Sequence, residues 1–194
     1  MEQLISKLDR IEPLEKQLKE DILSLLKTTT LPSREFLLRE GETNRTISFI
    51  EKGLVRCYHD ENDAERTNWI FKENDIIISV ESFFLQQPSR ENIQALENCT
   101  FQSITFDQLH LLCEKYRKFY KHKAQILLEY YLKSIERETM RQKNAFEKYK
   151  YLMEDPYQNK LVRRVQDKIL ASYLTMTPET FSYQKRMYKK RGKE

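Results

Sequence analysis

Apolar residues near the start of the chain recur at intervals of three and four: Leu4, Ile5, Leu8, Ile11, Leu14 and Leu18, followed by Ile22, Leu25 and Leu26. That period lays one apolar stripe along a helix. Pro13 divides the stretch into two pieces, because its ring removes a backbone donor, and Leu31-Pro32 marks its end. From 34 to 106 the pattern changes to short β-type runs at 36–38, 47–50, 54–58, 67–71, 76–78, 92–96 and 101–104. The polar turns Glu40-Gly41-Glu42, Glu51-Lys52-Gly53 and Asp60-Glu61-Asn62-Asp63 separate them. Many short strands at near-regular spacing predict a sandwich or barrel. Arg56 interrupts one apolar run, as expected of a strand with a single face in the core.

Helical periodicity returns after Phe106, with Asp107 as the expected start of a short helix over 108–113. Tyr116, Tyr120, Ala124, Leu127, Leu128, Tyr131 and Ile135 then mark a longer stripe. No Gly or Pro falls between Phe101 and Met153, so 117–140 can form one helix about 35 Å long. Such a helix pairs with its own copy through Ala124, Leu127, Leu128, Tyr131 and Ile135, or covers the sheet as an ordinary amphipathic helix. The stripe favours the pair. A further helix is expected at Ala145–Glu154, stopped by Asp155-Pro156.

The strongest local signal lies at 165–183. A helix from Asp167 to about Leu174 turns Leu170, Ala171 and Leu174 inward, with Ala171 small where two helices cross. After a short turn, Thr177 has the chemistry of an N-cap and Pro178 that of the first helical position. Glu179 suits the helix dipole there, and Phe181 anchors the second helix. This is a helix-turn-helix pattern, whose second helix enters a major groove. Thr177, Glu179, Thr180, Ser182, Tyr183 and Arg186 are the candidates to meet bases or fix the helix start. Lys185, Lys189, Lys190 and Arg191 suit phosphates. A helical hairpin that only packs is the alternative.

Charge sharpens that choice. The chain of 194 residues carries a net charge of +4, but unevenly. Residues 1–110 hold 13 Lys and Arg against 20 Asp and Glu, whereas residues 160–194 hold 10 against 3. A basic end on an acidic body is a common layout for double-stranded DNA as partner. No apolar run reaches membrane-spanning length, and the charged start lacks the core of a secretory signal, so a cytoplasmic protein without a membrane partner is expected. Cys57, Cys99 and Cys113 are dispersed, with no Cys-x-x-Cys. They are expected to be buried thiols in a reducing compartment.

In order and spacing, several segments resemble the Crp/Fnr family of regulators, especially its short Bacteroidetes-type members. They are Ile47-Ser48-Phe49-Ile50-Glu51-Lys52-Gly53-Leu54-Val55-Arg56, then Glu81-Ser82-Phe83-Phe84, Gln87-Pro88-Ser89 and Asn92-Ile93-Gln94-Ala95-Leu96-Glu97. Ile169-Leu170-Ala171-Ser172-Tyr173-Leu174 and Thr177-Pro178-Glu179-Thr180-Phe181-Ser182 complete the set. The resemblance spans about residues 20–188. It implies an α+β chain: a cyclic-nucleotide-binding-type β jelly roll over 1–115, a dimerisation helix over 116–144, and a winged-type helix-turn-helix within 145–194. It also implies a homodimer and a candidate small-molecule effector.

The family's nucleotide cassette uses a Gly-Glu pair and an Arg-Ser/Thr-Ala run to neutralise a cyclic phosphate. The corresponding residues here are Ser79-Val80-Glu81-Ser82-Phe83 and Pro88-Ser89-Arg90-Glu91. The glycine is missing, Ser89 takes the arginine's place, and Arg90 comes one residue late, which in a strand means the other face. Glu91 adds a negative charge. The effector is therefore not expected to be cAMP; Glu81, Ser82, Ser89, Arg90 and Asn92 are the pocket candidates for another small ligand or for none, and the cofactor stays unknown. In the helix-turn-helix, Thr175 stands at a usual turn glycine, Tyr183 at a common guanine-reading arginine and Gln184 at a core position.

An enzyme is not expected. The β region has only His59, without the clustered ligands of a metal barrel, so no metal site is assigned. The three glycines leave no phosphate loop, no nucleophile elbow appears, and no catalytic residues are assigned. A dimeric sensor or scaffold with degenerate DNA binding is the second reading.

Overall fold

The computed structural model describes residues 2–61 and 64–191. Asn62 and Asp63 of the expected turn, and Gly192-Lys193-Glu194, lie outside the described residues. The opening stripe forms α1 (Glu2–Ile11) and α2 (Lys16–Leu25), separated at Pro13 as expected. The helical region does not reach Leu31-Pro32. Instead β1 (Lys27–Leu31) begins two residues after α2, because the run Thr28-Thr29-Thr30 is β-branched and favours a pleated strand.

Seven more strands follow: β2 (Phe36–Leu38), β3 (Thr46–Lys52), β4 (Val55–Glu61), β5 (Ala64–Phe71), β6 (Ile76–Ile77), β7 (Asn92–Ala95) and β8 (Cys99–Thr105). They form two four-stranded sheets, ordered β1-β8-β3-β6 and β2-β7-β4-β5. A helix absent from the sequence reading, α3 (Val80–Leu85), sits between β6 and β7. The alternation of strand side chains separates two cores. Ile50 and Phe101 of the first sheet join Val55, Cys57, Phe71, Ile93 and Ala95 of the second in one cluster. Phe49 and Ile104 turn the other way, onto a cluster with Leu4, Leu8, Leu18, Ile22, Leu109 and Phe119 of the helices. Each such large side chain contributes roughly 1.5–3 kcal/mol by leaving water.

One sequence expectation is corrected by β4, and one expected turn is explained. Arg56 does not mark a solvent face: it is 6% exposed, donates to Gln94 Oε1 and stacks 4.0 Å from the Tyr58 ring centroid. The β3–β4 turn is set by Gly53, at φ +108°, where an added Cβ would lie 2.8 Å from Cys99 Cα. Only glycine fits both that φ and that approach.

The helical half consists of α4 (Phe106–Lys115), α5 (Phe119–Arg141), α6 (Ala145–Glu154), a 3-10 turn (Gln158–Leu161), α7 (Asp167–Tyr173) and α8 (Pro178–Arg191). Asp107 is not the cap of α4. Thr105 is, in a reciprocal capping box with Gln108, an arrangement that satisfies two otherwise orphaned donors. Asn144 and Glu147 do the same for α6.

The chain divides into two compact units. The first comprises 1–59 and 69–130. The second comprises 60–68 and 131–194, so it takes in the first half of β5 and the second half of α5. Its buried apolar residues include Met140, Tyr149, Leu152, Leu161, Val165, Leu170, Leu174 and Phe181.

Candidate nucleic-acid interface and effector position

Within the second unit, α7 is short and its inward residues Leu170, Ala171 and Leu174 are wholly buried. The turn after it passes through Thr175 at φ +55°, a left-handed conformation that costs a non-glycine residue roughly 1–2 kcal/mol. Its hydroxyl compensates: Oγ1 accepts from Lys148 Nζ at 2.7 Å and donates to the Leu174 carbonyl at 2.6 Å. Lys148 is nearly buried, and desolvation holds its ammonium below the usual lysine range, the charges of Arg141 and Arg66 adding to the effect.

Thr177 then caps α8 as expected, its Oγ1 accepting from the Thr180 amide at 3.2 Å, and Pro178 is the first helical residue. The Glu179 carboxyl is held below its usual range by its own amide and the Thr177 hydroxyl. Phe181 is buried, edge-on to Tyr149 at 5.3 Å. This anchor turns Glu179, Ser182, Tyr183, Arg186, Lys189 and Lys190 outward, all exposed, with Thr180 half-buried. Two of the expected cations are occupied. Lys185 Nζ pairs with Asp167 at 2.7 Å, and Arg191 stacks 4.2 Å from the Phe146 ring centroid. Gln184 is half-buried.

On α5, Leu128, Tyr131 and Ile135 are exposed by 45%, 62% and 46%, with Leu132 beside them at 53%. Ala124 is also exposed, and Leu127 is half-buried. Of the rest of the expected stripe, Tyr120 is exposed and Tyr116 terminates α4.

The five effector-pocket candidates fall in the first unit around α3. Ser82 Oγ accepts from the Asn44 amide at 2.8 Å and donates to the Gln87 carbonyl at 2.6 Å. Ser89 Oγ bonds the amide and carbonyl of Glu91 and lies 3.2 Å from Ser79 Oγ. Asn92 Oδ1 accepts from the Glu40 amide at 3.0 Å. Arg90 points to solvent and lies 3.4 Å from Glu81. The structure thus brings Ser82 and Ser89 to one polar cluster with Asn44 and Ser79, whereas Arg90 stays outside it. Glu91, not among the candidates, carries the cluster's charge. Burial pushes its carboxyl above the usual range, the Ser79 hydroxyl opposes this, and the Glu81 charge adds to it. Its field also reaches the buried Cys57 thiol and Tyr130 hydroxyl, both pushed up chiefly by desolvation. An anionic phosphate would meet a carboxylate here rather than a cation.

All three cysteines are free and buried. Among the described residues no group of three or more His, Cys, Asp or Glu is placed to hold a metal ion, and no helix is long and apolar enough to cross a membrane. Lys148 and Asn44 were missed in the sequence, where Glu91 was noted for its charge but not placed among the pocket candidates. Neither Lys148 nor Asn44 left a local signal there.

Residues 28–116 match the family model described as the cyclic nucleotide-binding domain. No curated protein matches the chain in sequence. Among solved structures, FixK2 from Bradyrhizobium japonicum has a TM-score of 0.71 at 15% identity, covering 86% of this chain and 86% of its own. CLP of Xanthomonas campestris, named as a c-di-GMP responsive global regulator, has 0.70 at 16%, covering 92% and 93%. The Thermus thermophilus catabolite activator protein has 0.56 at 16%, covering 96% and 88%. At such identities the likeness is one of fold. Residues 28–116 thus match a cyclic nucleotide-binding domain, and the chain as a whole shares the mixed helix and sheet fold of these solved regulators.

Proposed function

We propose that the protein is a dimeric, DNA-binding transcription regulator acting in the cytoplasm. One observation carries this reading: α8 is capped and anchored from within, while one continuous face of it presents Glu179, Ser182, Tyr183, Arg186, Lys189 and Lys190 to solvent. In this reading Glu179 accepts from a cytosine amine and Arg186 donates to a guanine or phosphate, while Lys189 and Lys190 neutralise phosphates. The exposed stripe of Ala124, Leu128, Tyr131 and Ile135, with Leu127 at its margin, forms the seam of a homodimer, which sets two recognition helices about one turn of DNA apart. Residues 1–115 serve as sensor, 116–144 as dimerisation helix and 145–194 as reader.

A small effector other than cAMP acts on this equilibrium only by binding one state more tightly. The carboxylate of Glu91 disfavours cyclic nucleotides. The pairing of Lys185 with Asp167 favours a second reading, a dimeric sensor or scaffold with weak DNA binding. Retention of sheared genomic duplex by the purified protein, measured at rising salt and followed by sequencing, separates them. A shared palindromic motif with a steep salt slope is expected; no retention at low salt leaves the second reading.

A further inference from the structure

Strand β5 is the last strand of its sheet, and such an edge carries backbone groups with no neighbouring strand. Alternate residues of an antiparallel strand present both N–H and C=O to the same side. In the second unit the Thr67 N–H and C=O and the Glu65 C=O are met by two side chains far away in sequence. Ser172 Oγ accepts from the Thr67 amide at 2.9 Å and donates to the Glu65 carbonyl at 2.7 Å. One nitrogen of Arg137, Nη2, donates to the Thr67 carbonyl at 2.8 Å and to the Tyr173 carbonyl at 2.9 Å. A hydroxyl and a guanidinium thus reproduce the donor and acceptor pattern of a missing strand.

We propose that Ser172 and Arg137 are positioning residues that latch α7, the first helix of the helix-turn-helix, onto the edge of β5 and so set the orientation in which α8 is presented. The chemistry of each residue suits the role. A hydroxyl donates and accepts at once, which no apolar residue of that size does. A serine within a helix ordinarily bonds back to its own preceding turn, whereas Ser172 reaches across to the strand. Arg137 is 6% exposed and lies 4.1 Å from the Tyr173 ring centroid. It meets the last turn of α7, where carbonyls lack helical partners and a cation is favoured. Desolvation lowers its pKa to about 10, so the charge persists at neutral pH. Arg141 continues the contact, donating to Asn68 Oδ1 at 2.9 Å.

The consequence for α8 rests on the DNA-binding reading; the latch itself does not. Hydrogen exchange at the Thr67 amide, measured by NMR on the full chain, reads the latch directly. In Ser172→Ala this one amide exchanges about tenfold faster, the equivalent of one lost hydrogen bond, while Ser172→Thr keeps the wild-type rate. The Ala variant also binds duplex several-fold more weakly as an intact dimer, and the Thr variant restores the affinity. Arg137→Lys, which keeps the charge but lacks the planar fork, weakens duplex binding in the same direction. Unchanged exchange at Thr67 in Ser172→Ala overturns the latch, as does uniform acceleration across the unit. Faster exchange with unaltered affinity overturns the positioning role. Absence of duplex binding by the wild type overturns only the proposed function, because the exchange result stands without it.

Discussion

Around α3 and along α8 the chain places similar polar side chains, and it treats them in opposite ways. Ser82, Ser89 and Asn92 each hold a backbone group of their own unit. Among the described residues Ser182, Tyr183, Arg186, Lys189 and Lys190 form no side-chain hydrogen bond or ion pair, and all are exposed. A buried polar group without a partner is costly, so the first set is consumed in folding. An exposed one costs folding nothing and stays available to a partner. Polarity at an expected site is therefore a poor guide to ligand binding until its hydrogen bonds are counted.

Four substitutions test that contrast. The largest effect is expected from Leu128→Lys, at the apolar counterpart of the exposed α8 face. It separates the dimer, read by analytical ultracentrifugation, and lowers duplex affinity by about a hundredfold, because the second half-site no longer binds intramolecularly. Ser82→Ala comes next. It strands the Asn44 amide and the Gln87 carbonyl and lowers unfolding free energy by about 2 kcal/mol in a denaturant titration. An unchanged stability would mean that the cluster around α3 is not consumed in folding.

Arg186→Ala is expected to leave stability within about 0.5 kcal/mol while reducing the salt slope of duplex binding by about one. A loss of stability with an unaltered slope would erase the difference between the two regions. The smallest effect belongs to Glu91→Gln. Because its folded carboxyl is raised above the ordinary value, the neutral form is favoured. The stability it confers is full at low pH and is lost as pH rises through the folded pKa. The melting temperature of Glu91→Gln should therefore gain on the wild type as pH rises from the ordinary carboxylate range through the raised folded value. The opposite slope would show that the carboxylate is stabilised, as by a cation.

Period and capping chemistry made most elements legible in the sequence. Thr177 with Pro178, and the glycine-free stretch that became α5, needed only local rules. β1 was hidden because its threonines continue no apolar alternation, and α3 because six residues span too few turns to show a period. The pairings were not legible at all. Ser172 and Thr67 are 105 residues apart, and Asn44 and Ser82 are 38 apart; nothing local to either residue names the other. Arg56 was misplaced for the same reason, since its hydrogen-bond partner Gln94 is 38 residues away.

The division of β5 and α5 between the two compact units bears on how such a gene can be cut and rejoined. A C-terminal piece excised at residue 131 would leave behind the 60–68 segment, and with it the backbone groups that Ser172 and Arg137 satisfy. An N-terminal piece ending at residue 130 would stop in the middle of α5. Neither piece is a cassette that recombination can move intact, so swaps should succeed only when the 60–68 segment travels with the helices it serves.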